Sequence, residues 1–153
     1  MGNEIERKFR VDPQWTPPGV GTLLEQGYLS SQPERTVRVR VDGTSAKLTV
    51  KGITTGVTRA EYEYAIPLDD ATAMLRDLCE RPHVAKRRHV VMHAGKRWEV
   101  DVFLADNAGL VIAELELADE AEAFERPPWL REEVSNDPRY YNSNLIKRPF
   151  STW

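Results

Sequence analysis

Glu4-Ile5-Glu6-Arg7-Lys8-Phe9-Arg10-Val11 alternates charge with bulk, and the period of that alternation decides the fold. A period of two belongs to a strand, whose successive side chains point to opposite faces. Glu4, Glu6, Lys8 and Arg10 therefore share one face, and Ile5, Phe9 and Val11 the other. Residues i and i+2 lie about 7 Å apart along a strand, so neighbouring carboxylates can hold the same or adjacent hard cations while the lysine reaches an anion beyond them. One such strand alone reads as an amphipathic edge. Recurrence of the pattern gives it weight.

Glu25 to Ser31 forms a second strand containing Tyr28. Arg35 to Asp42 sets Val37, Val39 and Val41 against Arg38 and Arg40, and Asp42-Gly43 is a strong hairpin signal. The returning strand, Ala46 to Lys51, puts Lys47, Thr49 and Lys51 on one side, and Val57 to Ile66 carries Arg59, Glu61 and Glu63 on a single face. Asp69 to Glu80 switches to helical spacing behind the capping candidates Asp69 and Asp70, with Ala71, Met74, Leu75, Leu78 and Cys79 on the apolar stripe. Strands return at Val84 to Met92, Lys96 to Leu104 and Leu110 to Leu117, and Pro138 opens a short terminal helix through Asn142 and Leu145. The spacing thus predicts a mainly β (α+β) fold. About eight antiparallel strands close into a barrel, with a few helices packed outside.

A chain of 153 residues, 41% hydrophobic, fits a single domain over residues 1–153. Its net charge of −3 disfavours sequence-independent nucleic-acid binding. Cys79 is the sole cysteine, which excludes an internal disulfide and reads as packing. No leader-like segment precedes Glu4 and no apolar run approaches the ~18 residues of a membrane span, so the expectation is a cytoplasmic protein with no membrane partner. A homodimer is left open, with Trp129 and Trp153 as candidate exposed interface aromatics. Phosphate-binding glycine loops, dinucleotide-binding glycine motifs and nucleophile elbows are all absent from the sequence. His89 and His93 lack further ligands for a zinc site.

The charges are sorted by sign. Acidic pairs stand at Glu4 and Glu6, Glu61 and Glu63, and Glu114 and Glu116; basic pairs at Arg38 and Arg40, Lys47 and Lys51, and Lys86 and Arg88. Arg97 and Asp101 share one face of a further strand. Like-sign pairs repel unless counter-ions compensate. With the apolar faces turned outward under helices, the charged faces line an interior cavity. A polyphosphate chelated to a divalent metal answers both signs, since carboxylates suit Mg²⁺ or Mn²⁺ and arginine forks suit phosphate oxygens.

Taken in order, Glu4-x-Glu6-x-Lys8, Arg38-x-Arg40, Leu48-Thr49-Val50-Lys51, Glu61-x-Glu63, Lys86-x-Arg88 and Glu114-x-Glu116 resemble the CYTH superfamily, or triphosphate tunnel metalloenzymes. The similarity runs on through Tyr141-Asn142-Ser143-Asn144-Leu145, and the compact length resembles bacterial short-chain inorganic triphosphatases. The resemblance implies an eight-stranded antiparallel barrel forming a tunnel. It implies metal-side carboxylates at Glu4, Glu6, Glu114 and Glu116, with Glu61, Glu63 and Asp101 as further acidic positions. Lys8, Arg38, Arg40, Lys51, Lys86 and Arg88 would contact phosphates. Glu4, Glu6, Lys8 and Lys86 would serve the chemistry, with Tyr28 orienting a lysine or water. Lys47 and Arg59 share the charged faces without an assigned role.

The expected reaction is metal-dependent hydrolysis of inorganic triphosphate, in which an activated water attacks the terminal phosphorus. Within the family the rivals are an adenylate cyclase and a nucleoside or thiamine triphosphatase. Outside it the rival is a non-catalytic polyphosphate-binding module, which would gain nothing from six carboxylates.

Overall fold

Alternation over ten residues gives β1 (Gly2–Val11) enough length to pair with three other strands, and that strand closes the molecule. The computed structural model describes residues 2–153. The remaining strands are β2 (Thr22–Gln32), β3 (Arg35–Asp42), β4 (Ser45–Gly52), β5 (Thr58–Ile66), β6 (Val84–His93), β7 (Lys96–Phe103), β8 (Val111–Glu116) and β9 (Leu130–Glu133). They form one sheet in the order β5-β4-β3-β2-β6-β7-β8-β1-β9, and β5 returns to pair with β1. All pairings are antiparallel. The expected eight-stranded barrel is present, with β9 as an additional ninth strand. On one edge β1 pairs with β8 from Glu6 to Arg10; on the other it pairs with β5 from Gly2 to Ile5 and with β9 at Phe9 and Val11.

Two apolar layers cover the outside. Over β3 and β4 lies α1 (Leu68–Asp77), whose Ala71 and Leu75, with Cys79 just beyond, pack on Val39 and Ala46. Cys79 is packing, as expected. The helix ends sooner than its spacing implies, and Pro67 stands at its N-cap. Asp69 and Asp70 are not caps: they lie inside the first turn, where their charge complements the helix dipole. A Cβ on Gly27 of β2 would lie 2.9 Å from Cys79 Cβ and Leu75 Cδ2, so the missing side chain lets the helix segment sit against the backbone.

The second layer joins Phe9, Trp98, Val100, Leu115 and Leu130 to Trp15, Phe124 and Trp129. Trp98 meets Phe9, Phe124 and Trp129 edge-on, each with ring centroids 5.7 Å apart. Trp129 is therefore part of this packing and not an exposed interface residue as expected. Its position before β9, a strand with no alternating pattern, is what concealed this.

A third apolar cluster is inside the barrel. Tyr28, Val84, Phe103 and Ile112 lie on the same strand faces as the charged residues and, with Leu110 just before β8, pack against Val134, Tyr140, Leu145 and Ile146 of the terminal segment. That segment was expected as one helix from Pro138. It is instead a 3-10 turn, Pro138–Tyr140, and a short α2, Asn142–Leu145, divided by extended backbone at Tyr141. The interior is thus apolar at one end and charged over the rest. No helix among the described residues is long and apolar enough to cross a membrane.

Candidate active site

The strand order divides the barrel wall by sign. β4, β3, β2 and β6 are consecutive neighbours and carry Lys47, Lys51, Arg38, Arg40, Lys86 and Arg88. β7, β8, β1 and β5 make the other half and carry Glu99, Glu114, Glu116, Glu4, Glu6, Glu61 and Glu63, with Lys8 and Arg59 as cations among them. These side chains, with Tyr28, line one cavity of about 240 Å³. Every sequence-derived candidate reaches it except Asp101.

Most of the cations are already paired. Lys51 donates to both oxygens of Glu4, at 2.9 and 3.1 Å, and lies 3.4 Å from Glu61. Burial alone would raise the Glu4 carboxyl, yet Lys51 outweighs it and holds it below the usual range. Lys8 sits opposite Glu114 in the β1–β8 ladder, 3.2 Å from its carboxylate. Burial works against the Lys8 charge, but Glu114, Glu6 and Glu4 overcome it and raise its pKa. Glu114 is likewise held well below its ordinary value against burial, by Lys8, Lys86 and Arg88. Arg38 lies 3.6 Å from Glu63, and its buried Nε has no partner among the described residues. Such an orphaned donor is one an anionic ligand would satisfy.

Asp101 is fully buried at 0% exposure. Arg88 holds it bidentately at 2.8 and 2.9 Å, and Lys86 Nζ lies 2.7 Å away. This use of both oxygens on cations makes it a counter-charge beneath the cavity wall. Lys86 is also buried, over the Phe103 ring at 5.3 Å. Burial drives its ammonium down to about 7 despite Asp101, and Arg88 and Arg40 add to the shift.

The acidic half contains the opposite imbalance. Glu6 and Glu116 face one another in the β1–β8 ladder. Burial, then Glu114 and Glu4, push Glu6 up to about 8; burial, then Glu4 and Glu99, raise Glu116 as well. Crowded carboxylate oxygens with no soft ligands are the donor chemistry of a hard divalent cation. Among the described residues no three His, Cys, Asp or Glu side chains already converge as a ready-made metal centre. The donor set fits such a cation, and convergence on it would relieve the repulsion.

Several lining residues escaped the sequence reading. Glu99 lies 3.2 Å from Arg88 and shares the face of Arg97 and Asp101, so its parity was a usable signal. Ser135, Tyr141 and Asn142 come from the terminal segment, where no alternation marks them. Arg59 is occupied elsewhere, donating to the Gly52 carbonyl at 3.0 and 2.8 Å. Arg87 and His89 face out from β6, with His89 buried against Trp15.

Residues 2–149 match the CYTH domain. An inorganic triphosphatase of Acetivibrio thermocellus is 47% identical over 154 residues, covering 100% of this chain and 99% of its own. An inorganic triphosphatase of Nitrosomonas europaea is 37% identical over 148 residues, covering 93% of this chain and 95% of its own. A solved structure of an inorganic triphosphatase, 36% identical, superposes with a TM-score of 0.66 over 95% of each chain.

Proposed function

The chain belongs to the CYTH domain family, and from that premise we propose that it is an inorganic triphosphatase, hydrolysing inorganic triphosphate to pyrophosphate and orthophosphate with a divalent metal, Mg²⁺ or Mn²⁺. The observation that carries this reading is the division of the cavity into a cationic and an acidic half. A metal–triphosphate complex presents the same two signs, anionic oxygens on one side and a cation on the other. The relatives named inorganic triphosphatase, similar over nearly the whole chain, support it.

Arg38, Arg40, Lys51 and Arg88 bind phosphate oxygens and spread the charge that develops on the departing pyrophosphate. Glu6 and Glu116 hold the metal, with Glu4, Glu61, Glu63 and Glu114 completing the acidic half. When bound, the metal neutralises the phosphates and lowers the pKa of a coordinated water. Lys8 bridges the halves, between Glu114 and the phosphates. Lys86, paired with Asp101 and lining the cavity, stays an ammonium that meets a phosphate oxygen, and Tyr28, which lines the same cavity, orients a lysine or water. Asp101 acts through Arg88 and Lys86 as their counter-charge.

The test is orthophosphate release from inorganic triphosphate under titration with Mg²⁺ or Mn²⁺ and under chelation. Release that requires added metal and stops with chelator is expected. Release indifferent to both would contradict the role given to the glutamates.

A further inference from the structure

Among the phosphate-side cations Arg40 stands apart. Lys8, Arg38, Lys51, Lys86 and Arg88 each pair with a carboxylate. Among the described residues Arg40 pairs with none, and its partner is neutral: Nε and Nη2 both donate to Oε1 of Gln26, at 2.9 and 2.8 Å. Gln26 lies opposite Arg40 in the β2–β3 register and is 0% exposed. Its amide nitrogen donates to Asn142 Oδ1 at 3.0 Å, and the same oxygen accepts from Lys86 Nζ at 2.9 Å.

The sense of this chain is dictated by its ends. Guanidinium and ammonium groups only donate, so each amide oxygen must face its cation, and the Gln26 NH₂ is left to bridge the two amides. We infer that Gln26 is a positioning residue for triphosphate binding: it fixes the Arg40 guanidinium without neutralising it, and Asn142 keeps the Gln26 amide turned the right way. This rests on the triphosphatase reading of the cavity.

Glutamate, close in size, would fail at both ends. It would ion-pair with Arg40 and set its second oxygen against Asn142 Oδ1. Nε and one Nη2 hydrogen of Arg40 are spent on Gln26, which leaves Nη1 and the other Nη2 hydrogen for phosphate oxygens. Burial, then Arg38 and Arg88, lower the Arg40 pKa to about 10, the mark of a place short of negative charge until an anion arrives.

The experiment measures KM and kcat for inorganic triphosphate in saturating Mg²⁺, with melting temperatures, for wild type, Gln26→Glu, Gln26→Met and Asn142→Ala. It also measures kcat/KM for Arg40→Gln with and without Gln26→Glu. The expected result is a KM raised about tenfold or more in Gln26→Glu with a smaller change in kcat. In the Arg40→Gln background the same change should cost less than about twofold, because its effect passes through Arg40. A folded Gln26→Glu variant with unchanged KM, or one whose penalty persists without Arg40, overturns the assignment. If Gln26→Glu does not fold, Asn142→Ala at the half-buried start of α2 decides: KM raised threefold or more supports it, unchanged KM overturns it. A wild type that hydrolyses normally while these variants match it defeats the positioning role alone. A wild type that leaves inorganic triphosphate intact defeats the functional reading and this inference together.

Discussion

Glu6 and Glu116 stand directly opposite one another in the β1–β8 ladder, and among the described residues neither pairs with a cation. Like charges directly opposite one another destabilise a sheet. Burial, then Glu114 and Glu4, hold the Glu6 carboxyl up at about 8, well above the usual carboxylate range. Its stabilising contribution is therefore complete below the unfolded value and lost as pH rises through about 8. In chelator, Glu6→Gln should melt with wild type near pH 4.5 and a few degrees higher at pH 9. With metal restored, Glu6→Gln and Glu116→Ala should each lose at least about a hundredfold in turnover, near the scale of losing one preorganised transition-state contact. A melting-temperature gap that does not open with pH would remove the electrostatic basis of the metal assignment.

Asp101 is fully buried and holds two buried cations. Removing one partner of a buried ion pair strands the other, at a cost of about 3–5 kcal/mol. Asp101→Asn should therefore lower the denaturation midpoint sharply and reduce turnover by freeing Arg88 and Lys86. The metal concentration giving half-maximal rate should not move. A shift of tenfold or more in that concentration would return Asp101 to the metal ligands.

How much of this was legible in the sequence depends on range. Alternation alone placed Glu4, Glu6, Lys8, Arg38, Arg40, Glu114 and Glu116 on shared charged faces, because the period of a strand is local; that those faces turn inward followed from closing the sheet with its apolar faces outward and from the family resemblance. The separation of the wall into halves was not legible: it arises because β6 pairs with β2 while β1 joins β8 to β5, and strand order is a long-range property. β9 was missed for a related reason. Leu130-Arg131-Glu132-Glu133 has no alternation and becomes a strand only through its partner β1. The apolar inner end also escaped notice, since Ile112 shares a face with Glu114 and Val84 with Lys86, and nothing local says which end the terminal segment fills.

Gly27 is kept small by α1. Gly27→Ala would press its Cβ on Leu75 and Cys79, and overpacking of this kind costs about 1–3 kcal/mol. Because α1 lies on the outside of the barrel, KM for triphosphate should stay within about twofold while the melting temperature falls. A KM change larger than the stability change would show that the helix constrains the cavity.

Glu133 ties β9 to β1. Its carboxylate takes Arg7 Nε at 2.9 Å and Ser135 Oγ at 2.6 Å. The Arg7 hydrogen bond is the main cause that depresses its pKa, so its contribution is present above the unfolded carboxylate value and lost as pH falls through the lower folded one. Glu133→Gln should cost about 1 kcal/mol at pH 7, the range of an ordinary hydrogen bond, because the Arg7–Glu133 pair is partly exposed and screened. Chemical denaturation at pH 7 and pH 3 should show that gap closing at the acid end. A gap constant with pH would mean that β9 is held by its apolar contacts alone.

The central claim, that opposed cationic and acidic walls cleave inorganic triphosphate, is tested most directly by ³¹P NMR of products from inorganic triphosphate and from ATP, each with Mg²⁺ and with chelator. The account predicts equimolar orthophosphate and pyrophosphate from inorganic triphosphate, much faster than any change in ATP, and silence with chelator. Intact triphosphate beside cyclic AMP and pyrophosphate from ATP would contradict it, and so would metal-dependent binding of triphosphate with no product at all.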